Sequence, residues 1–168
     1  RFIVYRTSDV IDNPARICGV TEVKEKKDKG QVKHPAENMV GQCKHVELAI
    51  ASAYDMFTRY GSVSSVETHN LGVMNAVAND YDSDFDDDIY FLVATQYVST
   101  TTTSSLDAAL TATTDANILL TNFTNWGNAG NFGVTLDDGQ LWTARNICDA
   151  TVGCGVVGLA WVGTVCNS

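Results

Sequence analysis

The stretch KHVELAIASAYDMFTRYG, residues 44–61, decides the fold class, because its pattern changes from that of a strand to that of a helix. Apolar side chains alternate with other residues from His45 to Ala51, which predicts a β-strand. Residues 54–60 then predict a helical turn that ends at Gly61. An alternating α/β pattern therefore begins at this point of the chain.

Five further segments extend the pattern towards the C-terminus. They are a helix over 63–81, a buried strand over Ile89–Val98, a second helix over 106–123 and strands over 132–144 and 156–165. Ser62 or Ser64 is a suitable N-cap for the first helix, and the acidic run over 80–88 is interpreted as a solvated turn. The order of these segments predicts a layered α/β sheet.

The part of the chain before residue 41 has a different composition. It opens with a short strand-like stretch, RFIVYRT, and residues 22–33, EVKEKKDKGQVK, are densely charged and almost free of apolar side chains. His34 and Pro35 follow, which favours an exposed linker. We therefore divide the chain into residues 1–40, a tail and charged linker, and residues 41–168, which hold the α/β pattern.

Length and charge exclude several classes of protein. The 168 residues are enough for one domain with its own core. The formal net charge is −9, from 11 basic and 20 acidic residues, so most of the surface repels phosphate and we expect no nucleic-acid partner. No run approaches the roughly 18 apolar residues of a spanning helix, so we expect no membrane span.

The five cysteines indicate disulfides rather than a metal cluster, because no C-x-x-C pair is present. Cys148 and Cys154 are close enough in sequence to bridge a small loop. The triplet Asn122-Phe123-Thr124 is an acceptor pattern for N-glycosylation. Both features fit a secreted or extracellular protein, and the odd cysteine number leaves one sulfur without a partner in this chain.

The common catalytic motifs are absent from the sequence. It has no H-E-x-x-H pair of zinc ligands, no G-x-S-x-G nucleophile elbow, no P-loop and no G-x-G-x-x-G. We therefore assign no catalytic residue to this chain.

Three stretches resemble the reprolysin (adamalysin) family of zinc metalloproteases, within the metzincin clan. ARICGVT, residues 15–21, is similar to the inhibitory propeptide motif P-K-M-C-G-V-T, and residues 44–50 with 56–60 resemble the first strand and helix of the catalytic domain. Residues 137–144 with 158–166 form the third stretch. The three occur in the family's order across almost the whole chain.

The resemblance implies a metzincin-like fold, a twisted mixed sheet with one antiparallel edge strand and two packed helices, incomplete at the C-terminus. Residues 1–40 would be the propeptide tail and 41–168 the N-terminal part of the catalytic domain. In the family, a strand such as GLAWVG pairs with an extended substrate. The substrate-binding residues would then be Gly158, Leu159, Ala160, Trp161, Val162 and Gly163.

The resemblance also implies a metal-dependent activity. The family's zinc helix follows this strand and one more, so we expect the zinc ligands outside this chain, through truncation, processing or loss. Cys18 would be an inhibitory thiol that binds the zinc, but we favour a disulfide to Cys43, because this chain has no zinc ligands for the thiol to cap. Glu47 and Asp137 would help to hold a calcium ion, or would be ordinary surface carboxylates. Cys166 would pair with the missing half.

The expected function is therefore that of a fragment of a secreted zinc metalloendopeptidase, made as a zymogen and inactive by itself. Its partners would be a peptide or protein substrate and the missing half, or another chain, along the edge strand. The alternative is a non-catalytic structural or assembly subunit whose open edge strand is completed by another chain.

Overall fold

The computed structural model of the chain describes residues 44–85, 89–151 and 153–161. Its elements, in chain order, are β1 Lys44–Ser52, α1 Tyr54–Tyr60, α2 Val63–Phe85, β2 Ile89–Val98, α3 Ser105–Leu110, α4 Ala116–Asn128, β3 Asp138–Trp142, β4 Ile147–Asp149 and β5 Gly153–Val156. This mixed architecture confirms the predicted α/β class. The predictions for residues 1–43, including the linker and Cys18, concern residues outside the described ranges.

β1 is the middle strand of a three-stranded sheet in the order β2-β1-β3. Both neighbours run parallel to it, with Lys44 opposite Ile89 and Leu48 opposite Asp138. The predicted strand pattern of residues 45–51 is confirmed, and residues 48–52 are almost completely buried. A strand buried on both faces needs a layer of helices on each side.

The two faces of β1 contact different helices. Leu48 and Ile50 pack with Met74 of α2 on one face. Ala51 packs on the other face in a cluster with side chains of α3 and α4, namely Leu106, Leu110, Leu119, Phe123 and Trp126. The alternation of the strand therefore divides the core into two parts, with the sheet between them.

Local signals explain the boundaries of α1 and α2. α1 ends at Gly61, whose φ of 81° is the left-handed conformation that glycine adopts most readily, and the Gly61 N–H donates to the Phe57 carbonyl. Ser62 Oγ accepts the N–H of Ser65 at 3.1 Å, which confirms the predicted N-cap. α2 then continues to Phe85, so the solvated turn predicted for 80–88 is wrong up to residue 85.

The single helix predicted over 106–123 is wrong, because the structure has two helices there. Ser104 caps α3 by accepting the N–H of Asp107, and Asp115 caps α4 by accepting the N–H groups of Asn117 and Ile118. Between the two helices, Thr111 has a positive φ of 58°, which interrupts the helical path. The described residues therefore contain four helices, whereas the sequence predicts a helical turn over 54–60 and two longer helices.

The predicted strands near the C-terminus also need correction. The strand over 132–144 is shorter, because β3 spans only Asp138–Trp142. The strand over 156–165 is not formed in its described part, since β5 ends at Val156 and residues 157–161 have no regular secondary structure. Antiparallel pairing occurs instead between β4 and β5, in a separate two-stranded sheet. Residues 162–165 lie outside the described residues.

A buried amide joins α2 to two strands of the sheet. Asn70 has no exposed surface, and its Nδ2 donates to Ser52 Oγ of β1 at 3.0 Å and to Gln96 Oε1 of β2 at 2.9 Å. Its Oδ1 has no hydrogen-bond partner among the described residues. The two hydrogen bonds fix the position of α2 along the sheet, which apolar contacts alone specify less precisely.

We expect Asn70→Ala to lower the free energy of unfolding by about 2–3 kcal/mol, because Ser52 and Gln96 each lose a partner in the interior. Urea denaturation measures the change. Asn75→Ala is the matched control, since Asn75 lies exposed on the same helix and its replacement should change stability by less than about 0.5 kcal/mol. Equal effects of the two substitutions would contradict this role for Asn70.

Candidate functional site

A cleft of about 1200 Å³ lies beside β3. β3 is an outer strand, and the edge that faces away from β1 pairs with no other strand in the described part of the chain. The loop over 134–137, the buried face of α4 and residues 157–161 form the remaining walls. An open strand edge beside a cleft can pair with an extended chain through main-chain hydrogen bonds.

Residues 157–161 form the wall of the cleft next to α4. Trp161 Nε1 donates to Thr124 Oγ1 at 2.9 Å, which attaches the segment to the helix. Trp161 is nevertheless 53% exposed. Of the predicted substrate-binding residues, those from Gly158 to Trp161 line the cleft, and Val162 and Gly163 lie outside the described residues.

A group of three aromatic rings lies at another wall of the cleft. His69 stacks on Tyr60 with 4.5 Å between ring centroids and meets Trp142 edge to face at 6.1 Å. All three residues line the cleft. They come from α1, α2 and β3, so their separation in the sequence gave no pattern that could have identified them.

The structure brings together Glu47 and Asp137, the two residues predicted to bind calcium, across 90 residues of sequence. The Glu47 N–H donates to Asp137 Oδ2 at 2.8 Å, and the Asp137 N–H donates to the Glu47 carbonyl at 2.9 Å. Both residues are exposed. Among the described residues, no three His, Cys, Asp or Glu side chains are grouped so that they could hold a metal ion.

Asp138, at the start of β3, is the carboxyl of the cleft with a shifted pKa. Burial raises the pKa of Asp138, and a hydrogen bond from the Gly139 N–H opposes this shift in part. The raised pKa means that the folded protein favours the protonated carboxyl more than the unfolded chain does. Asp138 therefore contributes stability at acidic pH that is lost as the pH rises through its folded-state pKa.

We expect Asp138→Asn to raise the free energy of unfolding at neutral pH, because the amide is buried without a charge and keeps an oxygen for the Gly139 N–H. The gain should shrink as the pH falls below the folded-state pKa. Urea denaturation at a series of pH values measures both effects. Asp80→Asn, at an exposed position of α2, is the control and should show no such gain. An unchanged or lower stability of Asp138→Asn at neutral pH would refute the assignment.

Arg145, in the connection between β3 and β4, binds two carboxylates and two carbonyls. Its Nε lies 3.2 Å from Asp55 Oδ2 and its Nη2 lies 3.2 Å from Asp107 Oδ1. Its Nη1 donates to the carbonyls of Thr111 and Thr113, at 2.8 and 3.1 Å. The Arg145 side chain is 16% exposed and that of Asp107 only 7%, so solvent screens these contacts weakly.

The two carboxylates of this cluster also bind the backbone near the ends of β3 and α1. Asp55 accepts the Ala144 N–H at 2.9 Å and the Thr143 hydroxyl at 2.6 Å. Asp107 Oδ2 accepts the Tyr54 N–H at 2.9 Å. The Arg145 cluster therefore holds the chain as it leaves β3 against the first turn of α1, beside the cleft.

The β4–β5 hairpin connects the Arg145 cluster to the segment over 157–161. A disulfide joins Cys148 of β4 to Cys154 of β5, which confirms the predicted pair. The Cys148 N–H donates to the Thr114 carbonyl at 2.8 Å, and Asn117 Nδ2 donates to Asp149 Oδ2 at 3.0 Å. These contacts attach the hairpin to the start of α4. The other three cysteines lie outside the described residues.

We expect Arg145→Met to lower the free energy of unfolding by about 3 kcal/mol, because it leaves Asp55 and Asp107 without their counter-charge in a weakly solvated place. Thermal and urea denaturation measure the loss. Arg59→Met is the matched control, since Arg59 lies exposed on α1, and it should cost less than about 0.5 kcal/mol. A loss no larger than that of the control would show that the Arg145 cluster contributes nothing.

Two comparisons with known proteins found no match. No family model matches the sequence, and a search of curated proteins found no significant match. In the described ranges, no helix has the length and apolar character that crossing a membrane requires. Any assignment of function therefore depends on the sequence resemblance and on the geometry of the cleft.

Proposed function

We propose that the chain is part of a secreted, reprolysin-type zinc metalloendopeptidase and that its cleft binds an extended peptide substrate. One observation carries the proposal. Residues 56–60, 137–144 and 158–161, which belong to two separate stretches that resemble the family, all contribute walls of the same cleft. Segments that are distant in sequence and meet at one cleft are the expected arrangement of a binding site.

The open edge of β3 gives this cleft a way to hold a peptide. A substrate strand would pair with the free backbone groups of β3, and residues 158–161 would lie on its other side. Tyr60, Trp142 and Trp161 would supply apolar contacts for alternate side chains. Main-chain pairing gives affinity and side-chain pockets give specificity in this mode of recognition.

The residues of this chain do not form the zinc site that the proposed activity requires. The H-E-x-x-H sequence does not occur between residues 1 and 168. A catalytic zinc needs three protein ligands and an open position. We therefore assign substrate binding, and no catalytic step, to residues 1–168. The zinc ligands would be residues other than these.

Two further parts of the proposal concern metal binding. Glu47 and Asp137 would contribute to a calcium site, and their carboxylate oxygens are the right type of donor. Calcium takes about six to eight oxygen ligands, so other residues or water would complete the set.

Cys18 would be either the inhibitory thiol or the partner of Cys43 in a disulfide. Secretion is supported by the Cys148–Cys154 disulfide, which is typical of oxidising compartments.

We expect the 168-residue chain to bind extended peptides in this cleft. Addition of a pool of capped decapeptides should slow amide hydrogen exchange in residues 138–142 and 157–161, because a paired strand protects its N–H groups. Trp161→Ala should weaken binding several-fold through the loss of ring contact. Leu92→Ala is the control, since Leu92 is exposed on β2 at the opposite edge of the sheet, and it should bind normally.

The same experiment separates the peptidase from the structural subunit. If β3 is protected without peptide, and the protection grows with protein concentration, another copy of the chain completes the sheet and the proposal is wrong. Sequencing the transcript beyond the Ser168 codon gives an independent test. A continuation with H-E-x-x-H-x-x-G-x-x-H supports the peptidase, and a continuation without metal ligands contradicts it.

A further inference from the structure

The two faces of α4 have different surroundings. Leu119, Phe123 and Trp126 are buried against the sheet. The opposite face forms a shallow, open depression lined by Asn117, Ile118, Thr121 and Asn122, and Ile118 is 48% exposed. None of these four residues lines the cleft beside β3. The outer face of α4 is therefore a separate surface to which the proposed function assigns no role.

Asn122 on this face begins the triplet Asn122-Phe123-Thr124. It is the one Asn-x-Ser/Thr triplet without proline in the 168 residues. Its side chain is partly exposed, and its amide makes no hydrogen bond to another described residue. Phe123, by contrast, is buried and Thr124 faces the cleft. Asn122 is thus the residue of the triplet that lies on the outer face of α4.

We infer that Asn122 carries an N-linked glycan. The sugar comes from a lipid-linked oligosaccharide pyrophosphate, the donor of this reaction in the secretory pathway. A bond forms between Asn122 Nδ2 and C1 of the first sugar, and the bond between C1 and the pyrophosphate oxygen breaks. The lipid pyrophosphate leaves with the electron pair, and the amide gives up one proton.

The position of Asn122 allows the chain to fold with the glycan attached. A large polar group on the buried face of α4 would prevent the contacts of Phe123 and Trp126 with the core. On the outer face it meets solvent and covers the exposed Ile118. It also leaves the cleft clear, since the cleft lies against other residues of the helix. The inference needs entry into the secretory pathway, but it does not depend on peptidase activity.

The test is to secrete the full chain from eukaryotic cells behind a signal sequence and to measure its intact mass before and after peptide N-glycosidase treatment. We expect a loss of mass on treatment and conversion of Asn122 to Asp in the peptide map. Asn122→Gln and Thr124→Ala should each abolish the shift. Thr124→Ser keeps the hydroxyl and should retain it, and so should the control Asn117→Gln, which changes the same face outside the triplet.

Secreted wild-type chain without the mass shift would overturn the inference, and so would a shift that persists in Asn122→Gln. If Asn122→Gln fails to fold, the peptide map of the wild-type chain decides the question by itself. Peptide binding is measured separately on unglycosylated chain from enzymatic treatment. A glycosylated chain that binds no peptide would therefore refute the proposed function and leave the glycan assignment intact.

Discussion

The guanidinium of Arg145 is the group on which the arrangement around the cleft depends. It satisfies one carboxylate from α1, one from α3 and two carbonyls of the turn between α3 and α4. That turn includes Thr111, whose positive φ is unfavourable for a residue with a branched side chain. The Arg145 guanidinium can stabilise such a turn, because it donates to the carbonyls of Thr111 and Thr113, which would otherwise need other donors. The break between α3 and α4 and the exit from β3 are thus stabilised by one side chain.

Some elements could be predicted because their signals are local. The strand at 45–51, the turn into Gly61 and the N-cap Ser62 each depend on a few adjacent residues. The N-caps of α3 and α4 are also local signals, since Ser104 and Asp115 are strong N-cap residues. The apolar pattern across 106–123 nevertheless predicts one continuous helix. In that segment the N-caps stabilise two separate helices, and the positive φ of Thr111 interrupts the helical path between them.

Other features depend on contacts that the sequence order does not reveal. Residues 156–165 are predicted to form a strand, yet residues 157–161 have no regular secondary structure, because strand formation depends on a neighbouring backbone as much as on propensity. The ring contacts of His69 with Tyr60 and Trp142 join three elements. The Arg145 cluster joins four segments. The residues from Gly158 to Trp161 were identified through a family resemblance, and the structure adds that they share one cleft with β3.

The position of β1 in the sheet has a consequence for how the protein folds. Both partner strands of β1 follow it in the chain. Glu47 can form its hydrogen bond with Asp137 only after the 90 residues that separate them have been synthesised. Sheets built from such distant pairings form slowly, since a long loop must close before its contacts are gained. During synthesis, α1 and α2 can form early, while the apolar central strand keeps one edge unpaired until β3 has emerged. In that interval the nascent chain exposes an unpaired, apolar strand edge, which favours aggregation.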